Sequence, residues 1–265
     1  MITEKIYEVV LTTKTQFRIG GKPDPFSGVE NPIAAVGNKV VVPGPSLKGA
    51  YRAELERHLI DTYPADEDMK PCIPATQLSK DEDQLVKRGL YRYYNKRSDR
   101  YAIKGEGCHY PCDPKRRCRK GNHAICPVCY LLGANGLNGF VKVPFLSSEI
   151  KADELYSASI DRATGTVKQG TNRPYQILPD GTVFTGKLVI TLENSILDWS
   201  LGECRPLKDH TKGDVWLEHG NWTQEQVLKE LVVDRIGNID LLGGFKSKGC
   251  GAVEIKVNEI EVKES

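Results

Sequence analysis

The stretch LLGGFKSKGCGAVEI, residues 241–255, places four glycines, two lysines and a serine between an apolar pair and an alternating strand. Glycines allow consecutive backbone amides to turn toward one point, which creates a nest for anions. Lys246 and Lys248 add positive charge, and Ser247 adds a hydroxyl donor. The pattern differs from a P-loop, which has its lysine between a strand and a helix. The stretch predicts either a plain helix-to-strand turn or an anion-binding loop. In the second case, the glycines that bring the backbone close to the ligand are Gly243, Gly244, Gly249 and Gly251.

A second segment with similar chemistry is VVPGPSLKGAYRAEL, residues 41–55, at the predicted start of a helix. Ser46 is a natural N-cap residue, and Lys48 and Arg52 add two cations nearby. Unpaired amides and the positive end of the helix dipole favour phosphate at such a position. The alternative is an ordinary cap with solvated cations. Two phosphate-friendly segments on one chain favour a bound nucleic-acid backbone, and RNA recognition is typical of small sheets of this kind.

The remaining pattern predicts an α+β fold with a ferredoxin-like or RRM-like palm. Alternating apolar residues predict strands at 5–13 and 252–262. An apolar stripe that runs from Leu47 to Leu59 predicts one helix, and a capping box at Thr223 predicts a second.

Length and composition are those of one domain with elaborations, and we expect a single domain over residues 1–265. Residues 64–130 are charged and weakly patterned, which predicts an insertion, and the polar residues 157–185 predict a projecting β-hairpin. The net charge is only +2, so an anion site must come from local clustering. The sequence has no apolar run of about 18 residues and no signal peptide, so we expect a cytoplasmic protein that does not enter the membrane.

Five of the eight cysteines fall within residues 108–129, and the last two form a CxxC pair. Disulfides are rare in cytosolic proteins, whereas CxxC places two thiolates on one knuckle for Zn²⁺. The sequence therefore predicts a structural zinc knuckle inside the insertion, while Cys72 and Cys204 are interpreted as ordinary thiols. The predicted ligands are Cys112, Cys118, Cys126 and Cys129, with Cys108 as the alternate, followed by His109 or His123.

Taken together, these segments resemble the RAMP superfamily of CRISPR proteins. PGPSLKGAYR (43–52) and LLGGFKSKGCGAVEI carry the likeness, since a C-terminal glycine-rich loop is the signature of that superfamily. Three further segments are similar to the backbone subunit of type III effectors. They are RIGG…GVENPI (18–33), CPVCYLLGA (126–134) and SIDRATGTV…LPDGTVF (159–184). The likeness therefore covers nearly the whole chain.

The resemblance implies a palm with an RRM-like core, a thumb formed by the 157–185 hairpin, and a zinc region that some members carry as an insertion. Copies of the subunit would stack along CRISPR RNA, in contact with complementary target RNA and with other effector subunits. Arg162 on the thumb would contact the guide–target duplex, with plain exposed charge as the alternative. The RNA-binding residues would be Ser46, Lys48, Arg52, Arg162, Gly243, Gly244, Lys246, Ser247, Lys248 and Gly249.

The resemblance also raises the question of RNA cleavage. In active type III backbone subunits, an aspartate in the loop after the first strand cleaves target RNA. The matching position here is Glu30, so the chain departs from the family pattern, and Asp24 is the nearest other carboxylate. The longer carboxylate could hold Mg²⁺ or another divalent metal or orient the attacking 2′-hydroxyl. It could equally be inactive, because a displacement of about 1 Å can cost about a hundredfold in rate.

Two other functions stay open at this point. One is a CRISPR RNA-processing endoribonuclease of the same superfamily, and the other is a non-catalytic scaffold subunit stabilised by zinc. Processing relatives use a base such as histidine and lack the PGPSLKGAYR segment, so the sequence disfavours them. A zinc module without an RNA role would leave both glycine-containing segments unexplained.

Overall fold

The structure is a computed structural model that describes residues 1–22, 31–74, 78–92, 107–110, 124–171, 173–207 and 213–260. The strands are β1 (Ile2–Thr13), β2 (Ala35–Val36), β3 (Lys39–Val42), β4 (Val141–Lys142), β5 (Leu146–Ser148), β6 (Asp153–Ser157), β7 (Arg173–Ile177), β8 (Val183–Asn194), β9 (Trp199–Ser200) and β10 (Val253–Glu259). The helices are α1 (Gly44–Thr62), α2 (Lys80–Lys87), α3 (Pro127–Leu132), α4 (Val215–Gly220), α5 (Gln224–Gln226) and α6 (Asp234–Gly237). A π-helical segment, Val227–Val233, joins α5 to α6, and a 3-10 turn covers Lys246–Lys248. Within the described ranges, every helix is too short or too polar to cross a membrane.

The chain divides into two compact units. Unit 1 comprises Met1–Ile6, Tyr51–Lys142 and Val189–Ile236, and unit 2 comprises Tyr7–Ala50, Val143–Leu188 and Gly237–Ser265. The boundaries predicted from the sequence for the domain and its insertion remain predictions.

The largest sheet has its strands in the order β10, β1, β8, β5, β3, β2, and the short strands β4 and β9 also pair with β8. The antiparallel register of β1 and β10 places Val9 opposite Val257 and Leu11 opposite Ile255. Val9, Leu11 and Ile255 are buried, whereas Glu8, on the other face of β1, is exposed. Complete burial of such an apolar side chain contributes about 1.5–3 kcal/mol. This alternation fixes the register, because a slip by one residue would turn the apolar face toward water.

A separate two-stranded sheet in unit 2 is formed by β6 and β7, from Asp153 opposite Ile177 to Ser157 opposite Arg173. In the turn between them, the Asp161 carboxylate accepts backbone hydrogen bonds, which lower the pKa of its carboxyl group. The hairpin in the structure therefore begins at Asp153, before the predicted start at residue 157. It ends before the predicted residue 185, because β8 begins at Val183.

Unit 1 has an aromatic core that surrounds a salt bridge. The Tyr130 ring centroid lies 4.6 Å from that of Phe140 and 5.3 Å from that of Trp216. The Arg205 guanidinium lies 4.7 Å from the Tyr130 centroid and donates to both carboxylate oxygens of Asp214, at 2.8 and 2.7 Å. Both charged side chains are 0% exposed. A fully buried ion pair with this bidentate geometry is strongly held as long as both partners are present.

The helix termini confirm one local prediction and correct another. α1 begins at Gly44, and the Ser46 amide donates to the Pro43 carbonyl at 2.9 Å, so Ser46 lies inside the first turn instead of capping it. The capping box at Thr223 is confirmed, since its hydroxyl accepts from the Gln226 amide while the Gln226 side chain accepts from the Thr223 amide. The π-helical segment that follows has no counterpart in the apolar pattern.

Candidate metal centre and nucleic-acid interface

Four buried cysteines meet in unit 1, and their Sγ atoms all lie within 4.8 Å of one another. Cys126 is the N-cap residue of α3, so the CxxC pair shares one helical turn. The Cys108 amide donates to Cys72 Sγ at 3.4 Å, and the Cys126 amide donates to Cys108 Sγ at 3.4 Å. These hydrogen bonds orient the sulfur atoms toward a common centre. The four residues are Cys72, Cys108, Cys126 and Cys129.

This donor set fits a tetrahedral metal ion such as Zn²⁺. Metal–sulfur bonds of about 2.3 Å would place the sulfur atoms about 3.8 Å apart, and Cys72 Sγ lies 3.3 Å from Cys129 Sγ. Hydrogen bonds with the neighbouring thiols lower the pKa of Cys72 well below its usual range, although burial opposes this shift. The corresponding hydrogen bonds raise the pKa of Cys108. A metal cation would replace the thiol protons, and four sulfur ligands would leave no position open for a catalytic water.

The cluster contains cysteines that the sequence analysis predicted as ligands and one that it did not. Cys126 and Cys129 are both present, and the third sulfur comes from the alternate, Cys108. The fourth comes from Cys72, which the sequence analysis interpreted as an ordinary thiol. Cys72 lies 36 residues before Cys108 and has no cysteine close to it in the sequence, so spacing gives no signal for it. The predicted ligands that lie outside the described residues are Cys112 and Cys118.

Arg52 and Glu56, one turn apart on α1, lie against this cluster. Arg52 Nε forms an ion pair with Glu56 Oε1 at 2.6 Å, although the angle is not that of a hydrogen bond. Arg52 Nη2 donates to the Cys72 carbonyl oxygen at 3.0 Å and to Cys72 Sγ at 3.7 Å. Burial raises the pKa of the Glu56 carboxyl to about 7, and the nearby Arg52 opposes that shift. The structure thus brings Arg52, which the sequence analysis assigned to RNA, to the cysteines.

The glycine-rich loop that precedes β10 belongs to unit 2 and exposes its charged residues. Gly243 and Gly249 have φ values of 90° and 83°, and Phe245 also lies in the left-handed region at 59°. This backbone turns the 3-10 segment Lys246–Lys248 outward, and all three of its residues are exposed. In the described part of the chain, no backbone hydrogen bond uses the amides of Lys246 or Ser247. The turn therefore presents two cations together with backbone donors.

Arg18 holds this loop against the segment that follows β1. Its carbonyl oxygen accepts from the Gly244 amide at 2.7 Å. The Gly244 amide is therefore not available as a donor to an anion, and this glycine only lets the two backbone segments approach closely. The Arg18 guanidinium lies 5.0 Å from the Phe245 ring centroid, and Lys248 Nζ lies 4.5 Å from the same centroid. The Phe245 ring thus contacts two cations. Both cations add to the positive charge of the exposed turn.

The other residues predicted to bind RNA are also in described parts of the chain. Lys48 is exposed and Ser46 is half-buried in the first turn of α1, and Arg162 is exposed in the turn between β6 and β7. These three residues belong to unit 2, as does the glycine-rich loop, whereas Arg52 belongs to unit 1. Their contact with RNA remains a prediction.

The two predicted catalytic carboxylates, Glu30 and Asp24, lie outside the described residues. The backbone directly after Glu30 is well anchored in unit 2. The Asn31 carbonyl oxygen accepts from Arg18 Nη2 at 3.0 Å and from the Gln176 amide at 3.1 Å. Asn31, which directly follows the predicted catalytic residue, is thus hydrogen-bonded both to β7 and to Arg18, the residue that holds the glycine-rich loop.

Gly243→Ala is expected to destabilise unit 2 and to distort the loop. A Cβ at this position would overlap the Arg18 carbonyl oxygen, and φ is already +90°. The strained backbone alone costs about 1–3 kcal/mol in a residue with a Cβ. Urea denaturation should show this loss in the free energy of unfolding. Gly244→Ala is the matched control, because its Cβ would lie 3.8 Å from the same oxygen. Equal losses in the two variants would contradict the steric argument.

Comparison with known proteins agrees with these features. The model of the RAMP superfamily matches residues 10–254, a range that includes both the cysteine cluster and the glycine-rich loop up to Glu254. Among curated proteins, none gives a significant match. RAMP proteins work in CRISPR complexes with RNA and other subunits, so membership suggests a CRISPR-associated role in RNA binding. Because the match extends over most of its length, the chain belongs to the RAMP superfamily.

Proposed function

We propose that the protein is the CRISPR RNA-binding backbone subunit of a type III effector. It would bind the guide along the glycine-rich loop, present it to complementary target RNA, and stack with copies of itself and with other subunits. The observation that carries this proposal is the exposed turn Lys246–Lys248, held in place by Arg18 and Phe245. Clustered cations and unpaired amides are a general solution for binding phosphate groups.

Strand order supports a ferredoxin-like palm. In chain order, the core strands would be β1, β5, β8 and β10, and in space they follow the order β10, β1, β8, β5. α1 lies between the first two in the sequence, and the helical residues 224–237 lie between the last two. This succession of two split β-α-β units is the one expected of a ferredoxin-like fold. The hairpin β2–β3 would then be an addition before α1.

The β6–β7 hairpin supports the proposed thumb. Its turn is closed by Asp161, and residues 158–171, which join the strands, are largely exposed. Arg162 and Lys168 add exposed positive charge to this segment. In the proposed subunit, these residues would contact the guide–target duplex.

We infer that the metal of the cysteine cluster is Zn²⁺ and that its role is structural. Soft thiolate ligands select zinc over hard cations such as Mg²⁺. Bound Zn²⁺ would supply folding energy by joining segments that are distant in the sequence. Cys72, Cys108 and the CxxC pair would hold it in unit 1, on the part of the chain that does not carry the exposed lysine turn.

Cleavage of target RNA is a separate part of the proposal and depends on Glu30. Its support is indirect, since the backbone that follows Glu30 is fixed to the unit that carries the RNA-binding loop. A carboxylate there would act with Mg²⁺ or another divalent metal. Without such activity, the subunit would serve as an RNA-binding scaffold.

RNA binding is tested by the double variant Lys246→Ala with Lys248→Ala. Each lost charge-assisted contact is worth about 1.5–3 kcal/mol, so the loss of both should lower the affinity for RNA by at least about a hundredfold. The slope of log affinity against log salt should also decrease by about 1.4, from two lost phosphate contacts on a single strand. The measurement is fluorescence anisotropy with a labelled single-stranded RNA that contains the CRISPR repeat sequence, repeated at several salt concentrations.

The matched control removes two lysines from unit 1. Lys87 and Lys229 are exposed and paired with Asp83 and Asp234, so Lys87→Ala with Lys229→Ala changes the net charge equally. This control should bind RNA as the wild type does. Equal affinities for the loop variant and the wild type at every salt concentration would refute the proposed interface. Shortened repeat RNA in the wild-type sample would instead favour a processing endoribonuclease.

A further inference from the structure

Arg52 points toward the cysteine cluster and is largely shielded from solvent. Its side chain is 21% exposed, whereas that of Arg57, on the same helix, is 61% exposed and pairs with Glu54. The Arg52 guanidinium contacts Glu56 through Nε and contacts both the carbonyl oxygen and the sulfur of Cys72 through Nη2. Thus, one planar group links α1 to the loop that supplies the most distant cysteine.

The orientation of Arg52 is itself fixed by neighbouring groups. Glu56, whose side chain is 15% exposed, holds Nε, and the Tyr91 hydroxyl donates to the other Glu56 oxygen at 3.4 Å. With Nε held by Glu56, Arg52 Nη2 donates to the carbonyl oxygen and to the Sγ of Cys72. A lysine ammonium is a point charge and could not satisfy Glu56 and Cys72 with the same planar geometry.

A metal bound by four thiolates places a special demand on its surroundings. Four thiolates around a divalent cation carry a formal charge of about −2, and an uncompensated buried charge is costly. The two amide–sulfur hydrogen bonds of the cluster, to Cys72 and Cys108, reduce this cost by donating to the ligands. Arg52 is the cation that the described structure places in contact with a cluster sulfur.

We propose that Arg52 is a positioning residue of the metal centre, which orients Cys72 and offsets the thiolate charge, and so raises the affinity of the four cysteines for Zn²⁺. This inference rests on the metal centre proposed above and is independent of RNA binding. It also explains why a cation one turn after Lys48 is turned away from the exposed start of α1.

The test measures metal binding by the full chain in Arg52→Met and Arg52→Lys. Zn²⁺ affinity is obtained by competition with a chromophoric chelator, and Arg52→Met should lower it about 10–100-fold, as the loss of such outer hydrogen bonds typically does. Co²⁺ in place of Zn²⁺ gives a second readout. Loss of a donor to Cys72 should move the thiolate-to-cobalt absorption band to longer wavelength. Arg52→Lys keeps the charge, so its affinity should fall less than that of Arg52→Met.

Arg57→Met is the matched control, because it removes an arginine from the same helix without touching the cysteines. It should keep the wild-type affinity and the wild-type cobalt spectrum. A wild-type Zn²⁺ affinity in Arg52→Met would overturn the proposal. If Arg52→Met does not fold with Zn²⁺ present, a wild-type affinity and a wild-type cobalt spectrum in Arg52→Lys would overturn it instead. A wild-type chain that binds neither metal would refute the metal centre itself, whereas the RNA-binding assay would be unaffected.

Discussion

Cys126→Ser is expected to lower bound Zn²⁺ from about one equivalent per chain to well below one and to unfold unit 1 at temperatures that the wild type survives. Cys126 is fully buried, and Cys72 and Cys108 reach the cluster from segments that are distant from it in the sequence. Structural zinc sites contribute about 10–16 kcal/mol of apparent binding energy in small domains. Even a loss of about 5 kcal/mol would lower the melting temperature by roughly 10–20 °C in a chain of this size.

The same measurements decide which cysteines hold the metal. Cys72→Ser should be as damaging as Cys126→Ser, because Cys72 Sγ lies inside the cluster. Cys112→Ser and Cys118→Ser should retain the metal if the four described cysteines form the site. Cys204→Ser is the control, since Cys204 Sγ donates to the Asp214 carbonyl oxygen outside the cluster and serine preserves that donor. If Cys72→Ser keeps its full metal content and Cys112→Ser or Cys118→Ser loses the metal, the ligand set predicted from the sequence is the correct one.

Acid should release the metal for the same reason. Zinc binds thiolates, so protons compete with it for every ligand, and affinity falls as the pH is lowered. The stabilisation conferred by Zn²⁺ should therefore be present at neutral pH and be lost progressively in acid. Melting temperatures recorded with and without a chelator should converge as the pH falls. A constant difference between them across the acidic range would contradict thiolate ligation.

The cysteine cluster shows what could be predicted from the sequence and where that reasoning ends. The CxxC pair was recognisable because both ligands lie on one turn, a local relation that spacing reveals. Cys72 was not, because it reaches the site only when residues far apart in the sequence pack together. The surroundings of Arg52 could not be predicted for a similar reason. Its spacing from Lys48 suggests a shared exposed cluster, but the ion pair with Glu56 draws it to Cys72.

The glycine-rich loop was more predictable, since its chemistry is local. Its four glycines and two lysines lie together in residues 243–251, so the pattern is visible in the sequence, although the left-handed backbone at Phe245 is not. The contribution of Arg18 was not foreseeable, because its carbonyl and guanidinium meet the loop across a separation of more than two hundred residues. Similarly, nothing in the sequence indicated that Arg205 and Asp214 form a buried ion pair, since charged residues in a loop are usually solvated.

Asp214→Ala is expected to destabilise unit 1 by about 3–5 kcal/mol, the usual cost of leaving a buried charge without its partner. Arg205 is enclosed by Tyr130 and two other aromatic rings, and without Asp214 its remaining described hydrogen bond is to the Asn138 carbonyl oxygen at 3.1 Å. Chemical denaturation of the Zn²⁺-saturated chain should show the loss, with RNA affinity per folded molecule unchanged.

Asp234→Ala removes a carboxylate from an exposed pair with Lys229, so it should cost less than about 1 kcal/mol. The double variant Arg205→Met with Asp214→Leu removes both charges and should be more stable than Asp214→Ala, because no unpaired ion remains among the aromatic rings. If Asp214→Ala and Asp234→Ala cost the same, the Arg205–Asp214 pair is not the buried interaction that the structure shows.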